Sequence, residues 1–301
     1  MLAAALEAVP ELAGARRVIT PIAEGRTNRN FRVEVDLGSF FVRVSDKETQ
    51  LLGIDRSTER LAATASADAG IGPQVVAFLP DLGCLVTRWV LGSSLDEGDL
   101  ESEPTLAAAL AVVRTLHAGP ELPWTFSAFR IEETYRAIAE NRGVTVPTEY
   151  GRAHAMAERI EAAFAAAPVE ERPCHNDLLA PNFIRDGDRL WLVDYEYAGM
   201  GDPFFDLGNL SINNGLSEDA QERMLHHYFG EVKEFHRARL GLMRMMSDFR
   251  EAMWGVAQQG LSTLDIDYVE YAGVHFDRLG RAMADPRVDR WLEASAEGIG
   301  G

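Results

Sequence analysis

Apolar and polar positions alternate with a period of two near the start of the chain and then change to a helical period. Met1 to Glu7 reads as a short helix. Val18 to Glu24 reads as a strand, Gly25 to Asn30 as a polar turn, and Phe31 to Val35 as a second strand. A turn at Asp36-Leu37-Gly38 leads into a third strand, Ser39 to Val44. Ile54 to Ala69 carries a helical pattern that Gly70 ends. Gln74 to Leu79 and Cys84 to Val90 form a hairpin around Pro80-Asp81-Leu82-Gly83. Residues 1–90 are therefore expected to form a small antiparallel sheet with one helix, bounded by Leu91-Gly92-Ser93-Ser94.

From Pro104 the period is helical. Apolar residues fall at Leu106, Leu110, Val113 and Leu116, and the pattern continues over 131–141 and 150–167. Trp191 to Glu196 alternates as a strand, which would put Asp194 and Glu196 on one face. Ser217-Glu218-Asp219 carries an N-cap and first-turn acids, the start signal of a helix. The longest helical pattern spans 234–260. Leu242, Met246, Phe249, Met253 and Val256 form its apolar stripe, flanked by Arg250 and Trp254. Helical patterns over 267–283 and 288–294 close the chain. Residues 91–301 thus read as a larger, mostly helical lobe, and the fold class as α+β and bilobal.

A chain of 301 residues with 47% hydrophobic content can bury two such lobes. Its 29 Lys and Arg against 47 Asp and Glu give a net charge of −18, which excludes binding to nucleic-acid phosphates through a basic face. The excess is uneven. Residues 1–90 hold 10 basic and 11 acidic side chains, and residues 91–301 hold 19 and 36. An acidic second lobe attracts a cationic substrate. Cys84 and Cys174 show no disulfide framework or metal spacing, which points to a reducing cytoplasm. The N-terminal stretch has no basic segment and reads as a helix, not a signal peptide. No apolar run approaches spanning length, so no membrane insertion is expected.

The candidate chemistry centres on Cys174-His175-Asn176-Asp177-Leu178-Leu179-Ala180-Pro181-Asn182 and on Leu192-Val193-Asp194-Tyr195-Glu196. His175, Asp177 and Asn182 keep the spacing H-x-D-x-x-x-x-N of a kinase catalytic loop. Phosphoryl transfer from a magnesium nucleotide needs a carboxylate to orient and deprotonate the attacking hydroxyl, and oxygen ligands for Mg²⁺. Asp177 suits the first role, and Asn182 and Asp194 the second. The polar turn with Gly25, Thr27, Asn28 and Asn30 has the composition to lie over nucleotide phosphates. The chain has two lysines, Lys47 and Lys233, and neither lies inside the third strand. Arg43 does, and a guanidinium engages phosphate well, so Arg43 is the candidate phosphate cation, with Glu59 on the following helix as its partner.

At these residues the sequence resembles the choline/ethanolamine kinase family, itself similar to aminoglycoside phosphotransferases and more distantly to protein kinases. The resemblance runs from about Ile22 to the last helices. It is strongest at Cys174 to Asp177, Asp194 to Tyr197, Phe205-Asp206 and Trp254-Gly255, and weaker at Gly25 to Phe31 and Ile54-Asp55-Arg56. It implies a protein-kinase-like fold, ATP and Mg²⁺ as cofactors, and Asp177 as the base. It also implies Asn182, Asp194 and Glu196 at the metal, and Asp206 bracing the catalytic loop. A hinge at Thr87, Arg88, Trp89 and Val90 would hold adenine through main-chain groups. Tyr197 and Trp254 match ring positions that face the choline cation, an arrangement that works by cation–π attraction. Where eukaryotic choline kinases carry two Trp three residues apart, this chain has Glu251 and Trp254. The expected activity is phosphorylation of a small cationic amino alcohol, choline or ethanolamine. Aminoglycosides or thiamine are alternative acceptors, and a nucleotide-binding regulator without turnover is the reading from a different class.

Overall fold

The computed structural model describes residues 1–22, 28–45 and 49–298. Helix α1 (Leu2–Ala8) precedes three antiparallel strands, β1 (Val18–Ile22), β2 (Asn28–Val35) and β3 (Gly38–Ser45). Helix α2 (Arg56–Asp68) and the hairpin β4 (Val75–Leu79) and β5 (Cys84–Arg88) follow. The sheet order is β1-β2-β3-β5-β4, which makes β3 the central strand. Asp55 caps α2 by accepting from the Thr58 amide at 2.6 Å. Gly70, in the left-handed region at φ 75°, turns the chain away just past the end of α2.

The pleat of β3 sorts its side chains. Phe40, Val42 and Val44 join Ala5, Leu6 and Val86 in a small core between the sheet and α1. Arg43 projects to the other face, as the period of two requires. Packing does not follow chain order here. Ala62 and Ala63 of α2 and Ile71 belong to the large core of the helical part, so α2 bridges the two.

The helical part begins with the two-residue strand β6 (Ser93–Ser94), then α3 (Glu103–His117), α4 (Ala128–Asn141) and α5 (Tyr150–Ala166). Three short strands come next, β7 (Arg172–Cys174), β8 (Phe183–Asp186) and β9 (Arg189–Leu192), followed by β10 (Gly199–Gly201). The chain closes with α6 (Pro203–Asn213), α7 (Glu218–Phe229), α8 (Glu234–Leu261), α9 (Tyr268–Met283) and α10 (Val288–Glu297). The expected helices appear within a few residues of their predicted ends, and the architecture is α+β. Among the described residues, no helix is long and apolar enough to cross a membrane.

Helix α8 is the axle of this part. Its 28 residues are buried over most of their length against α4, α6, α9 and α10. A helix buried all round belongs to a core, not to a surface. Helix α6 crosses it closely because Gly208 has no side chain. A Cβ there would stand 2.8 Å from the Met243 carbonyl carbon and 3.0 Å from the Arg244 amide.

One expected element differs. The strand over Trp191 to Glu196 ends at Leu192. Asp194 takes a left-handed φ of 67°, which breaks the extended conformation and with it the shared face of Asp194 and Glu196. Helix α6 was not marked by periodicity, because its buried face carries Asp206, Asn209 and Ser211 among apolar residues. Gly208→Ala should force α6 off α8 and lower the unfolding free energy by about 1–3 kcal/mol. A denaturant titration of the two proteins reads this directly; an unchanged midpoint would mean that α8 yields at no cost.

Candidate active site

The loop 175–182 follows β7 and is tied to α6 through its backbone. Asp206 accepts from the amides of His175 at 2.8 Å and Asn176 at 2.6 Å. Asn209 accepts from the Leu178 amide at 2.6 Å, and Asn214 from the Ala180 amide at 2.7 Å. Buried amides must find partners, and here side chains of α6 and its C-cap supply them. Behind this, His117 bridges the Asp206 carboxylate at 2.9 Å and the Tyr228 hydroxyl at 2.6 Å.

His175 is turned inward and has no exposed surface. Its ring is buried, packs against Tyr195, and donates from Nε2 to the Val193 carbonyl at 3.0 Å. Burial lowers its pKa and keeps it neutral, which fits a single donated proton. It joins the loop to the segment that carries Asp194. Asn182 makes a second tie, donating to the Asp177 carbonyl at 2.8 Å.

Asp177 stands at the end of this scaffold, half-buried. Burial pushes its carboxyl up to about 7, against the opposing pull of Arg250. Asp194 is 35% exposed, and its Oδ1 accepts from Arg43 at 2.5 Å. Glu196 is buried and turned toward the sheet. It accepts from Asn28 at 2.8 Å and pairs with Arg56 at 3.4 Å. Asn182 and Asp194 offer oxygen ligands, the donor type a hard divalent cation requires. Glu196 places one oxygen, Oε2, against both Asn28 and Arg56.

On the sheet side, Arg43 is 3% exposed and pairs with Glu59 as well as Asp194. Asn30 lies opposite Arg43 in the β2–β3 register. Asn28 accepts from Arg56 at 2.9 Å, and Arg56 also donates to Glu59 at 2.8 Å. Gly25 and Thr27 lie outside the described residues. The hinge needs correction in part. Thr87 lies within β5, and the amides of Arg88 and Trp89 already donate to the Gln74 and Ser39 carbonyls at 2.8 and 3.0 Å. Sheet register consumes these two donors, so neither is available to adenine; Val90 follows, half-buried.

Tyr197, Glu251 and Trp254 do converge, but around a residue of the chain itself. The Arg250 guanidinium lies 4.3 Å from the Tyr197 ring centroid and is 2% exposed. It donates to Glu251 at 2.5 Å and to Asp177 at 3.3 Å. Trp254 donates from its indole nitrogen to the Tyr197 hydroxyl at 3.0 Å. Glu251 also accepts from Tyr271 at 2.7 Å. Burial alone would raise Glu251, but the Arg250 charge prevails and holds it below the usual carboxylate value. Sequence reasoning placed Arg250 only as a flank of the apolar stripe. A cation within an otherwise apolar, buried helix face was the available signal. It missed Arg56, Asn209 and Asn214 as site-building residues.

The loop geometry and the frame of sheet and helices define a phosphotransferase of kinase-like fold. The chain belongs to the phosphotransferase enzyme family, whose model matches residues 18–242. Over 221 residues it is 25% identical to Protein LicA of Haemophilus influenzae, covering 71% of this chain and 63% of that protein, less than two thirds of that relative's length. Over 286 residues it is 25% identical to ethanolamine kinase 2 of Mus musculus, covering 85% of this chain and 73% of that one. A solved structure of a choline/ethanolamine kinase family protein from Mesorhizobium loti is 32% identical, superposes with a TM-score of 0.84, and is matched over 98% of both chains.

Replacing Asp206 by Ala should leave two buried loop amides without an acceptor. At about 1–3 kcal/mol for each unsatisfied group, the fold should lose about 2–6 kcal/mol. Urea unfolding would show it, and a loss well under that range would mean that water takes over the amides.

Proposed function

We propose that the chain transfers the γ-phosphate of ATP to the hydroxyl of a small cationic amino alcohol of the choline or ethanolamine type. The observation that carries the cationic acceptor is the charge of the cleft. Asp177, Asp194, Glu196, Glu251 and Glu59 face Arg43, Arg56 and Arg250, five carboxylates against three guanidiniums. The uncompensated negative charge favours a cation. The names of the similar proteins support the same class of acceptor.

In this reading the nucleotide lies between residues 1–90 and 91–301. Arg43 exchanges part of its contact with Asp194 for nucleotide phosphate oxygens. Asn182 and Asp194 would hold Mg²⁺, which would neutralise charge on the phosphates. Asp177 takes the proton of the acceptor hydroxyl as its oxygen bonds the γ-phosphorus and the bond to the β-phosphate oxygen breaks. The products are the phosphorylated alcohol and ADP. A pKa near 7 suits this role, because about half of the carboxyl is then ionised at neutral pH and it is basic enough to accept a proton.

Two measurements test the chemistry. Asp177→Asn should lower turnover by about 10²–10⁴-fold while nucleotide still binds. In the unaltered protein kcat/KM should climb with pH through about 7 and then level, since only ionised Asp177 accepts the proton. Near-normal turnover in the variant, or a flat profile, would remove Asp177 from the mechanism. Asp194→Ala should weaken nucleotide binding in the presence of Mg²⁺ and change it little in its absence; equal losses in both titrations would refute the metal role. The acceptor class is tested by ATP consumption with choline, ethanolamine and a neutral carbon isostere of choline. Equal use of the neutral alcohol would overturn the cationic reading.

A further inference from the structure

We infer that Arg250 sets the headgroup the site accepts: it fills the place of a quaternary ammonium, so the acceptor is an alcohol bearing a primary ammonium. This inference rests on the cationic-acceptor reading above.

A quaternary ammonium has no N–H donor. It is held by the faces of aromatic rings and by diffuse Coulomb attraction. Among the rings expected to wall this site, Tyr197 already carries a cation against it. The Arg250 guanidinium lies 4.3 Å from the ring centroid, a normal cation–π separation. Trp254 is engaged too, through its hydrogen bond to the Tyr197 hydroxyl and edge contacts with Tyr268 and Tyr271 at 5.8 and 5.5 Å. For a trimethylammonium group to take the face of the Tyr197 ring that the guanidinium covers, Arg250 must leave. Its departure would strip the counter-charge from Glu251 at 2.5 Å and from Asp177 at 3.3 Å. Breaking a buried pair in this way is strongly unfavourable.

A primary ammonium makes a different demand. It is small and carries three N–H donors that seek oxygen acceptors in defined directions. The carboxylates beside Arg250 are acceptors of that kind, and using them leaves the guanidinium in place. Two cations near one another are tolerated here because the surrounding carboxylates outnumber the guanidiniums. Arg250 is thus a specificity residue whose effect is read as a ratio between acceptors.

The test compares kcat/KM for ethanolamine and choline in the unaltered protein and in Arg250→Lys, Arg250→Gln and Arg250→Leu. The unaltered protein should prefer ethanolamine. Arg250→Lys, which keeps the charge, should keep the preference. Arg250→Gln and Arg250→Leu should shift the ratio toward choline by about 10-fold, within the range of one cation–π contact, whatever happens to absolute turnover. The Gln variant keeps a hydrogen-bond donor for Glu251, so it guards against a Leu variant that fails to fold. A purely structural role would lower both activities together and leave the ratio unmoved. If the unaltered protein uses choline as well as ethanolamine, or if the ratio stays fixed in the neutral variants, the inference fails and the kinase reading stands. If neither amine is phosphorylated, both fall together.

Discussion

Four buried amides in the loop 175–182 have no partner in any sheet or helix ladder, and the placement of the site depends on how they are satisfied. Asp206, Asn209 and Asn214 meet them from one side of α6 and its C-cap. This explains a sequence feature that otherwise looks wrong, a buried helix that carries an acid and several amides on itself and its C-cap. Such groups are tolerated in a core only when fully bonded. Each is bonded here, and in return the loop has little freedom. Asp177 is presented by a segment whose backbone is fixed from below, and its orientation follows from that.

The second constraint joins the sheet to the helical part. Arg43 from β3 and Arg56 from α2 reach across to Asp194 and Glu196. These contacts are charge-assisted and largely withdrawn from water, which makes them directional and weakly screened. The two parts of the molecule therefore meet at the polar residues of the cleft as well as along the α2 packing surface. Substituting one of these arginines would disturb the relative setting of the parts and the local charge at once.

What was legible in the sequence was what is local. The helices show because their apolar stripes recur along a continuous stretch. His175, Asp177, Asn182 and Asp194 stand out because one loop and the segment after it hold them all. What was not legible depends on tertiary convergence. Arg250 lies 73 positions from Asp177 in the chain, and nothing in its neighbourhood says that it points at that carboxylate. The resemblance put Glu196 near the metal; the left-handed Asp194 ends the strand before it, and one Glu196 oxygen meets Asn28 from the sheet. At the expected hinge, the register that consumes the Arg88 and Trp89 amides comes from partners up to 50 residues away. Spacing can nominate residues; only packing decides which of their atoms are left over.

The charged and aromatic cluster beside Asp177 draws on a short stretch of α8, where Arg250, Glu251 and Trp254 lie within about one turn. The rest of that helix is locked by its neighbours, while the loop 175–182 and the sheet come from other segments. Exchanging side chains on one turn of one helix changes this buried charge cluster, and through the Arg250 contact with Asp177 it also reaches the loop 175–182.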